Sequence, residues 1–228
     1  MAESARAVVF DLFGTLLDVA SLRTAVAEFT SEPDAFVAIW RQKQLGYAFA
    51  ATIMGCYENF DALTARALEY AARNAGVTLD PNQQRSLVRA WNVMAPFADA
   101  KACLTELRAS DFTCDVLTNS TVRTSLEALD NAGLAPLVDT VHSIDDVRQF
   151  KPSPLAYGVV STSYGCAPDE FVFVTCNGWD ATGAAEFGMR VAWCNRLRAP
   201  LETFGKAPTW TVSSLTELMP ALGIIART

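Results

Sequence analysis

The sequence has little positive charge and no basic segment. Of its 228 residues, 18 are Lys or Arg and 25 are Asp or Glu, which gives a formal net charge of −7. Such a chain lacks the basic surface that nucleic-acid backbones require, so nucleic acid is not an expected partner. An anionic ligand would also be repelled at long range, so its pocket must supply cations locally.

Histidine, paired cysteines and long apolar runs are scarce as well. One His and six scattered Cys, with no CxxC pair, give no zinc-binding pattern. Scattered thiols without a secretory signal are typical of reduced proteins, so we expect a cytoplasmic location. No segment approaches the roughly 20 consecutive apolar residues that a membrane-spanning helix needs, so we expect no membrane partner.

What remains is the composition of a folded chain with a substantial core: 51% of residues are hydrophobic and 19% are charged. Runs of strand-forming residues occur at 6–10, 113–117, 138–142, 170–175 and 189–194. Helical patterns accompany them at 99–109, 122–132, 154–164, 181–187 and 214–222. This alternation predicts an α/β fold, a Rossmann-like core with a doubly wound parallel sheet.

Residues 21–94 interrupt the alternation of strands and helices. The segment is rich in Ala, Leu, Glu and Arg, and breaks fall near Pro33, Gly76 and Pro81. We interpret it as about four helices inserted after the first strand. The expected domains are therefore a core of residues 1–18 and 97–228 and a helical cap of residues 19–96.

Polar residues stand at the carboxyl ends of the predicted strands. Because these ends meet at one crevice of a parallel sheet, residues far apart in sequence become neighbours there. The alternative for any single Thr or Asn among them is that it is only a helix N-cap. The residues are Asp11, Thr15, Thr118, Asn119, Ser120, Lys151, Thr175, Asn177 and Asp180.

Four segments at these strand ends resemble the motifs of the haloacid dehalogenase superfamily. Residues 10–18 (FDLFGTLLD) resemble its first motif and residues 117–120 (LTNS) its second. Residues 151–152 (KP) resemble its third motif and residues 175–183 (TCNGWDATG) its fourth. The similarity continues through residues 40–45 (WRQKQL) in the insertion and covers nearly the whole chain. Together the segments resemble the L-2-haloacid dehalogenases in particular.

This resemblance implies hydrolysis of small (S)-2-haloacids to (R)-2-hydroxyacids through a covalent ester on Asp11. It implies that Thr15 orients Asp11, that Lys151 keeps it ionised, and that Arg41 receives the departing halide. The residues implied to place and activate the hydrolytic water, or to contact that network, are Tyr157, Thr175, Asn177 and Asp180. The residues implied to contact the substrate, besides Arg41, are Leu12, Leu45, Phe60, Thr118, Asn119 and Trp179. A homodimer is also implied.

Phe13 distinguishes this interpretation from the alternative that the protein is a phosphatase acting on a small phosphate ester. Superfamily phosphatases place a second Asp two residues after the nucleophile and bind Mg²⁺, whereas an apolar Phe13 can neither protonate a leaving group nor ligate a metal. A halide leaves without a proton, so a reaction without metal or cofactor is favoured. A non-catalytic binding protein of this fold is disfavoured, because binding alone needs no nucleophile such as Asp11 with its partners.

Several of these residues also have a purely structural interpretation. Arg41 would otherwise be a solvated helix-surface residue, Lys151 an exposed residue before a turn, and Asp180 a helix N-terminal acid or a salt-bridge partner of Lys151. Leu45, Phe60, Trp179 and Tyr157 would be plain core, His142 a strand-end residue, and Cys176 a small packed residue. The sequence departs from the usual family pattern at six positions. Thr118 and Thr175 stand where Ser is common, Ser120 where Gly is common, Phe13 where Tyr is common, and Cys176 and Gly178 where Ser and Ala are frequent.

Overall fold

The computed structural model describes residues 5–223, and a parallel β-sheet lies at its centre. The sheet consists of β1 (Ala7–Phe10), β2 (Cys114–Thr118), β3 (Thr140–Ser143), β4 (Phe171–Thr175), β5 (Arg190–Cys194) and β6 (Trp210–Val212). The strand order is β3-β2-β1-β4-β5-β6, and every neighbouring pair is parallel. The order reverses direction at β1, the place where open α/β sheets form their binding crevice.

Helices cover both faces of the sheet. Val8 and Phe10 of β1 belong to one buried hydrophobic cluster, and Ala7 and Val9 belong to a second. A strand buried on both faces explains the unbroken apolar run of β1. The helices after the insertion are α5 (Ala100–Ala109), α6 (Val122–Asn131), α7 (Pro154–Tyr164), α8 (Gly178–Phe187) and α9 (Leu218–Ala221).

The segment between β1 and β2 contains four helices before α5. They are α1 (Arg23–Val26), α2 (Pro33–Met54), α3 (Phe60–Asn74) and α4 (Pro81–Ala90). Pro33 and Pro81 each open a helix, where the missing N–H is not needed. The Asp80 side chain caps α4 in a capping box with Gln83. No helix within residues 5–223 is long and apolar enough to cross a membrane.

The predicted doubly wound α/β fold is confirmed, and five strands lie within two residues of their predicted bounds. The prediction missed β6, a three-residue edge strand too short to show an alternation. The prediction of one continuous helix over residues 214–222 was wrong. A 3-10 turn at Leu215–Glu217 precedes the four-residue α9, in which Pro220 lacks the N–H that a longer helix would need.

The inserted helices contact the loops at the carboxyl edge of the sheet. Thr52 at the end of α2 accepts a hydrogen bond from the backbone N–H of Phe150 at 3.0 Å. The Tyr57 ring stacks on Phe150 with centroids 5.4 Å apart, and its hydroxyl donates to Asp145. On the other side, Phe13 packs edge-on against Trp91 at 5.7 Å. The insertion is therefore tied to the loops after β1 and β3.

A bidentate ion pair ties the start of α5 to the end of the sheet. Arg196 donates to both carboxylate oxygens of Asp99, at 2.7 and 2.8 Å, and the Leu215 amide donates to the same carboxylate at 2.9 Å. Burial opposes ionisation of Asp99, but these hydrogen bonds outweigh it and lower the pKa of Asp99. The ion pair therefore contributes fully to folding stability at pH values above the ordinary pKa of an aspartate. This contribution is lost as the pH falls through the lowered pKa of Asp99.

Replacing Asp99 by Asn should lower the free energy of unfolding at neutral pH by about 1–3 kcal/mol, because Arg196 would lose a charged partner. Urea denaturation measures the loss, which should shrink as the pH is lowered through the pKa range of Asp99. Glu69→Gln is the matched control. Its pair with Arg73 is 55% and 83% exposed, so the change should cost under about 0.5 kcal/mol. Equal losses in both variants would contradict the prediction.

Candidate active site

Asp11 lies directly after β1, at the reversal point of the sheet, and is 6% exposed. One carboxylate oxygen accepts from Lys151 Nζ at 2.8 Å. The other accepts from Thr15 Oγ1 and from Asn177 Nδ2, both at 2.9 Å. Gly14 makes the tight turn that brings Thr15 back towards Asp11, and its φ of 94° favours glycine. Three donors therefore hold the carboxylate in one orientation.

Lys151 joins Asp11 to a second carboxylate. Its ammonium is 2.8 Å from Asp11 Oδ1 and 2.8 Å from Asp180 Oδ2, and it also donates to the carbonyl of Leu117 at 3.2 Å. Burial alone would lower the pKa of Lys151, but Asp11 and Asp180 outweigh burial and raise it. The ammonium is therefore charged, and it is 1% exposed rather than solvated.

Asp180 is fully buried in the first turn of α8 and is held by three side chains. Tyr157 donates to one oxygen at 2.7 Å, while Lys151 and Thr175 donate to the other at 2.8 and 3.1 Å. Burial raises the pKa of Asp180, and the nearby charge of Asp11 raises it further. Lys151 lowers it, but the pKa of Asp180 remains above its ordinary value. A carboxylate with a raised pKa is a better proton acceptor than an ordinary aspartate.

Gly183 allows Tyr157 to reach Asp180. A Cβ at position 183 would lie 2.6 Å from the Tyr157 hydroxyl oxygen and 2.6 Å from Pro152. No side chain fits in that space without displacing one of these neighbours. Close packing of α7 against α8 therefore depends on glycine at this position, one turn after Asp180.

Arg41 reaches the sheet edge from α2. Its guanidinium donates to the carbonyl of Phe13 at 3.1 Å and to Gln44 Oε1 at 2.7 Å. The guanidinium carbon also lies 5.7 Å from the centroid of the Trp91 ring. Burial lowers the pKa of Arg41 to about 10, although the charges of Asp11 and Asp180 act to raise it. The guanidinium therefore stays charged at neutral pH.

Gln44 is a site residue that sequence reasoning missed. It is fully buried, and besides accepting from Arg41 it donates to Thr64 Oγ1 at 2.6 Å. Thr64 in turn donates to the carbonyl of Phe60 at 2.7 Å. This chain of hydrogen bonds fixes the guanidinium from behind. The sequence does contain a signal for Gln44, because this polar residue lies four residues from both Trp40 and Ala48, in the apolar stripe of α2.

Thr118 and Asn119 follow β2 and are both buried. Thr118 Oγ1 accepts from the Ser120 amide at 3.0 Å, which leaves its own hydroxyl proton free for another acceptor. Asn119 Oδ1 accepts from the Lys151 amide at 2.8 Å and so positions the lysine backbone. Neither residue caps α6, because Thr121 does so.

The apolar residues of the predicted site lie at different depths. Leu12 is fully buried in the core, and its carbonyl accepts from three amides of the turn after β1. Phe60 is 2% exposed and lines a cavity together with Phe13. Leu45 and Trp179 are half-buried, and Trp179 packs edge-on against Phe49, one turn beyond Leu45 on α2, with ring centroids 5.2 Å apart.

The structure shows where the polar residues that had a structural alternative lie. Asn177 is at the N-cap position of α8, yet its side chain accepts no hydrogen bond from the helix, and its amide donates to Asp11. Lys151 is buried, and Arg41 is hydrogen-bonded rather than free in solvent. Asp180 is both a first-turn acid and the ion-pair partner of Lys151. His142 is a buried strand residue bonded to Asp115, away from the Asp11 network.

The oxygen atoms near Asp11 do not fit a magnesium centre. Asp11 and Asp180 both accept from Lys151, and the carbonyl of Phe13 accepts from Arg41, so the candidate ligands are already paired with cationic groups. The Phe13 side chain offers no donor atom to a hard cation. Within residues 5–223, no three His, Cys, Asp or Glu residues are grouped so that they could hold a metal ion.

Comparison with known proteins identifies relatives of this architecture. An (S)-2-haloacid dehalogenase from Pseudomonas putida is 34% identical over 92% of this chain and 95% of its own length. A haloacetate dehalogenase from Moraxella sp. is 30% identical over 96% of this chain and 98% of its own length. The structure of the L-2-haloacid dehalogenase from Xanthobacter autotrophicus with chloropropionic acid covalently bound superposes with a TM-score of 0.91 at 32% identity. That match covers 97% of this chain and 100% of the other.

The sequence model of the haloacid dehalogenase-like hydrolases matches residues 5–188, from β1 to the end of α8. This span contains every residue of the network around Asp11. The relatives just described cover more than nine tenths of the chain. The chain therefore belongs to the family of haloacid dehalogenase-like hydrolases.

Proposed function

We propose that the protein is a hydrolase that cleaves the carbon–halogen bond of small (S)-2-haloacids and releases (R)-2-hydroxyacids and halide. The observation that carries this proposal is the pairing of Asp11 with Lys151 in a site where Phe13 replaces a general acid. A buried carboxylate paired with an ammonium group is suited to act as a nucleophile, and a halide is a leaving group that needs no proton. The named dehalogenases among the relatives support the same reaction class.

In the first half-reaction, an oxygen of Asp11 forms a bond to C2 of the substrate while the carbon–halogen bond breaks. The halide leaves with the bonding electron pair, and C2 is inverted. Thr118 is suited to donate its free hydroxyl proton to the substrate carboxylate, because its oxygen already accepts from Ser120. Arg41 is suited to receive the halide, because its charge lies beside Phe13, two residues from the nucleophile.

In the second half-reaction, Asp180 accepts a proton from water, and the resulting hydroxide attacks the ester carbonyl carbon of Asp11. The bond between that carbon and the ester oxygen on C2 then breaks, and the leaving oxygen takes up the proton of the attacking hydroxide, which releases the 2-hydroxyacid and restores the Asp11 carboxylate. Asp180 gives the proton it accepted to solvent before the next turnover. The raised pKa of Asp180 suits this role. Tyr157 and Thr175 hold Asp180 towards the ester, and Asn177 keeps its contact with the Asp11 oxygen.

Residues 19–96 would act as a cap over the site, with residues 1–18 and 97–228 as the core. The contacts of Arg41 with Phe13, of Thr52 with Phe150 and of Tyr57 with Asp145 support this division. The half-buried Leu45 and Trp179 would form the apolar wall that excludes water during displacement, together with Leu12 and Phe60. The homodimer and the cytoplasmic location rest on the family resemblance and the cysteine pattern, and both stay predictions.

Halide release is the direct test of the reaction. We expect chloride from (S)-2-chloropropionate, little from the (R)-enantiomer, and the same rate with and without EDTA. With p-nitrophenyl phosphate and Mg²⁺ we expect no phosphate release, because Phe13 cannot protonate an alkoxide. Ion chromatography measures the halide and a colorimetric assay measures the phosphate. Magnesium-dependent phosphate release without any halide release would sink the proposal.

Isotope incorporation tests the covalent step. In a single turnover in H₂¹⁸O, the label should enter the Asp11 carboxylate and not the product, because water attacks the ester carbonyl. Peptide mass spectrometry locates the label. The variant Asp11→Asn is the control and should show no halide release and no label. Label in the first product molecule would mean that water attacks C2 directly.

Gln44 should position Arg41 during halide departure. We expect Gln44→Met to lower kcat about tenfold, the equivalent of one lost hydrogen bond to a charged group. Arg41→Lys should cost at least as much, because lysine cannot bond Phe13 and Gln44 with the geometry of a guanidinium. Steady-state kinetics give kcat and KM, and thermal unfolding gives stability.

Lys43→Met is the matched control for Gln44→Met. Lys43 lies on the same helix, 4.0 Å from the Tyr70 ring centroid, outside the hydrogen-bond chain to Arg41. This control should keep kcat unchanged. A Gln44→Met protein that loses only thermal stability, with normal kcat, would show that Gln44 is merely structural.

A further inference from the structure

Cys176 and Cys194 lie side by side on neighbouring segments next to the Asp11 network. The strands β4 and β5 run parallel, and Thr175 pairs with Trp193 where β4 ends. Cys176 and Cys194 each follow that pair by one residue, and both pack on the face of the sheet opposite to Trp193. The Cys194 thiol is hydrogen-bonded to the sulfur of Cys176. Two free thiols are therefore in direct contact beside the site.

The backbone at this place is spaced as a disulfide requires. Neighbouring strands of a sheet lie about 4.8 Å apart. The Cα atoms of two bridged cysteines are usually about 4.4–6.8 Å apart. Because Cys176 and Cys194 occupy neighbouring positions and point to the same face, a bond between their sulfur atoms needs only a local movement.

The surroundings make Cys176 the more reactive thiol of the pair. The hydrogen bond from Cys194 and the charge of Arg196 lower the pKa of Cys176, although burial and the charge of Asp11 oppose them. The same hydrogen bond and burial raise the pKa of Cys194. Cys176 is half-buried, whereas Cys194 is fully buried. Because the thiolate is the form that reacts with oxidants, a small oxidant attacks Cys176 first.

A bond to Cys194 would disturb the residues that hold Asp11. A disulfide bond is about 2.05 Å long, shorter than any contact between unbonded sulfur atoms. Cys194 is fixed in β5 by its pairing with β6, so the chain at Cys176, beyond the end of β4, must move. The Cys176 N–H donates to Thr15 Oγ1 at 2.9 Å, and Asn177 is the next residue. Both Thr15 and Asn177 donate to Asp11, so this movement would displace two of its three donors.

We propose that Cys176 and Cys194 form a site of reversible oxidation, at which hydrogen peroxide converts the two thiols into a disulfide and thereby lowers the activity at Asp11. The Cys176 thiolate attacks one peroxide oxygen and the O–O bond breaks, which gives a sulfenic acid and a hydroxide that takes up a proton. The Cys194 sulfur then attacks the Cys176 sulfur, and the S–O bond breaks. The second hydroxide leaves with the Cys194 proton as water. The two thiols lose two electrons in total, and the peroxide is reduced to two water molecules.

Peptide mapping tests the bond directly. The protein is treated with hydrogen peroxide, the remaining thiols are blocked with N-ethylmaleimide, and the digest is analysed by mass spectrometry without reductant. We expect one pair of peptides joined through Cys176 and Cys194, with the mass of the two thiol peptides less two hydrogen atoms. Dithiothreitol should remove the link. A sulfinic acid on Cys176 without any link to Cys194, or links between other cysteines only, overturns the proposal.

Halide release from (S)-2-chloropropionate in the same samples tests the effect on the site. Formation of the link should lower kcat by at least about tenfold, the effect of losing one hydrogen bond to a charged group. Dithiothreitol should restore kcat. The variant Cys176→Ser should keep its kcat in peroxide. Cys56→Ser is the matched control, because Cys56 is an exposed thiol between α2 and α3, and it should lose and regain activity as the wild type does.

The outcomes separate this inference from the proposed dehalogenase function. A complete link with unchanged kcat, or an equal loss of kcat in Cys176→Ser, overturns the effect on Asp11. If no halide is released before oxidation, the dehalogenase function fails, while the peptide map of the wild type still decides whether the two thiols are a redox site. The same map decides the question if Cys176→Ser does not fold.

Discussion

The ammonium group of Lys151 holds together the two carboxylates on which the proposed chemistry depends. It lies 2.8 Å from an oxygen of Asp11 and 2.8 Å from an oxygen of Asp180, in a region closed to solvent. Two buried carboxylates so close together would repel each other strongly, and one of them would be protonated without a shared cation. Arg41, which also interacts with both charges, brings the formal charge of the four groups to zero. The cluster is thus balanced before an anionic substrate arrives.

The fold supplies this cluster from four separate parts of the chain. Asp11 follows β1, Asp180 follows β4, and Lys151 comes from the loop after β3, while Arg41 comes from the insertion. Because β1 lies between β2 and β4, its carboxyl end is the only place in the described sheet where the loops after β2 and β4 can both reach one residue. The donors around Asp11 and Asp180 are then fixed by packing and backbone hydrogen bonds, so little reorganisation is needed during reaction.

Much of this arrangement is readable from the sequence, for a physical reason. The parallel sheet follows from alternating apolar strands and helices, and Asp11, Lys151, Asn177 and Asp180 converge because strand ends of a parallel sheet share one edge. Gln44 could not be assigned a role from the sequence in the same way. From the sequence, a glutamine within the apolar stripe of a helix has no evident hydrogen-bond partner. The structure shows that Gln44 accepts from Arg41 and donates to Thr64. Such features depend on which side chains meet across distant elements, and periodicity carries no information about that.

The contact between the insertion and Phe150 has an evolutionary consequence. Thr52 holds the backbone N–H of the residue immediately before Lys151, and Tyr57 covers the same residue with its ring. The peptide that carries the central lysine is therefore braced by a segment inserted some hundred residues earlier in the chain. Recombination that exchanged the insertion for one from a distant relative would carry over a new substrate wall but would remove this brace. Such a chimaera would need a compensating change at position 150 to keep the loop after β3 in place.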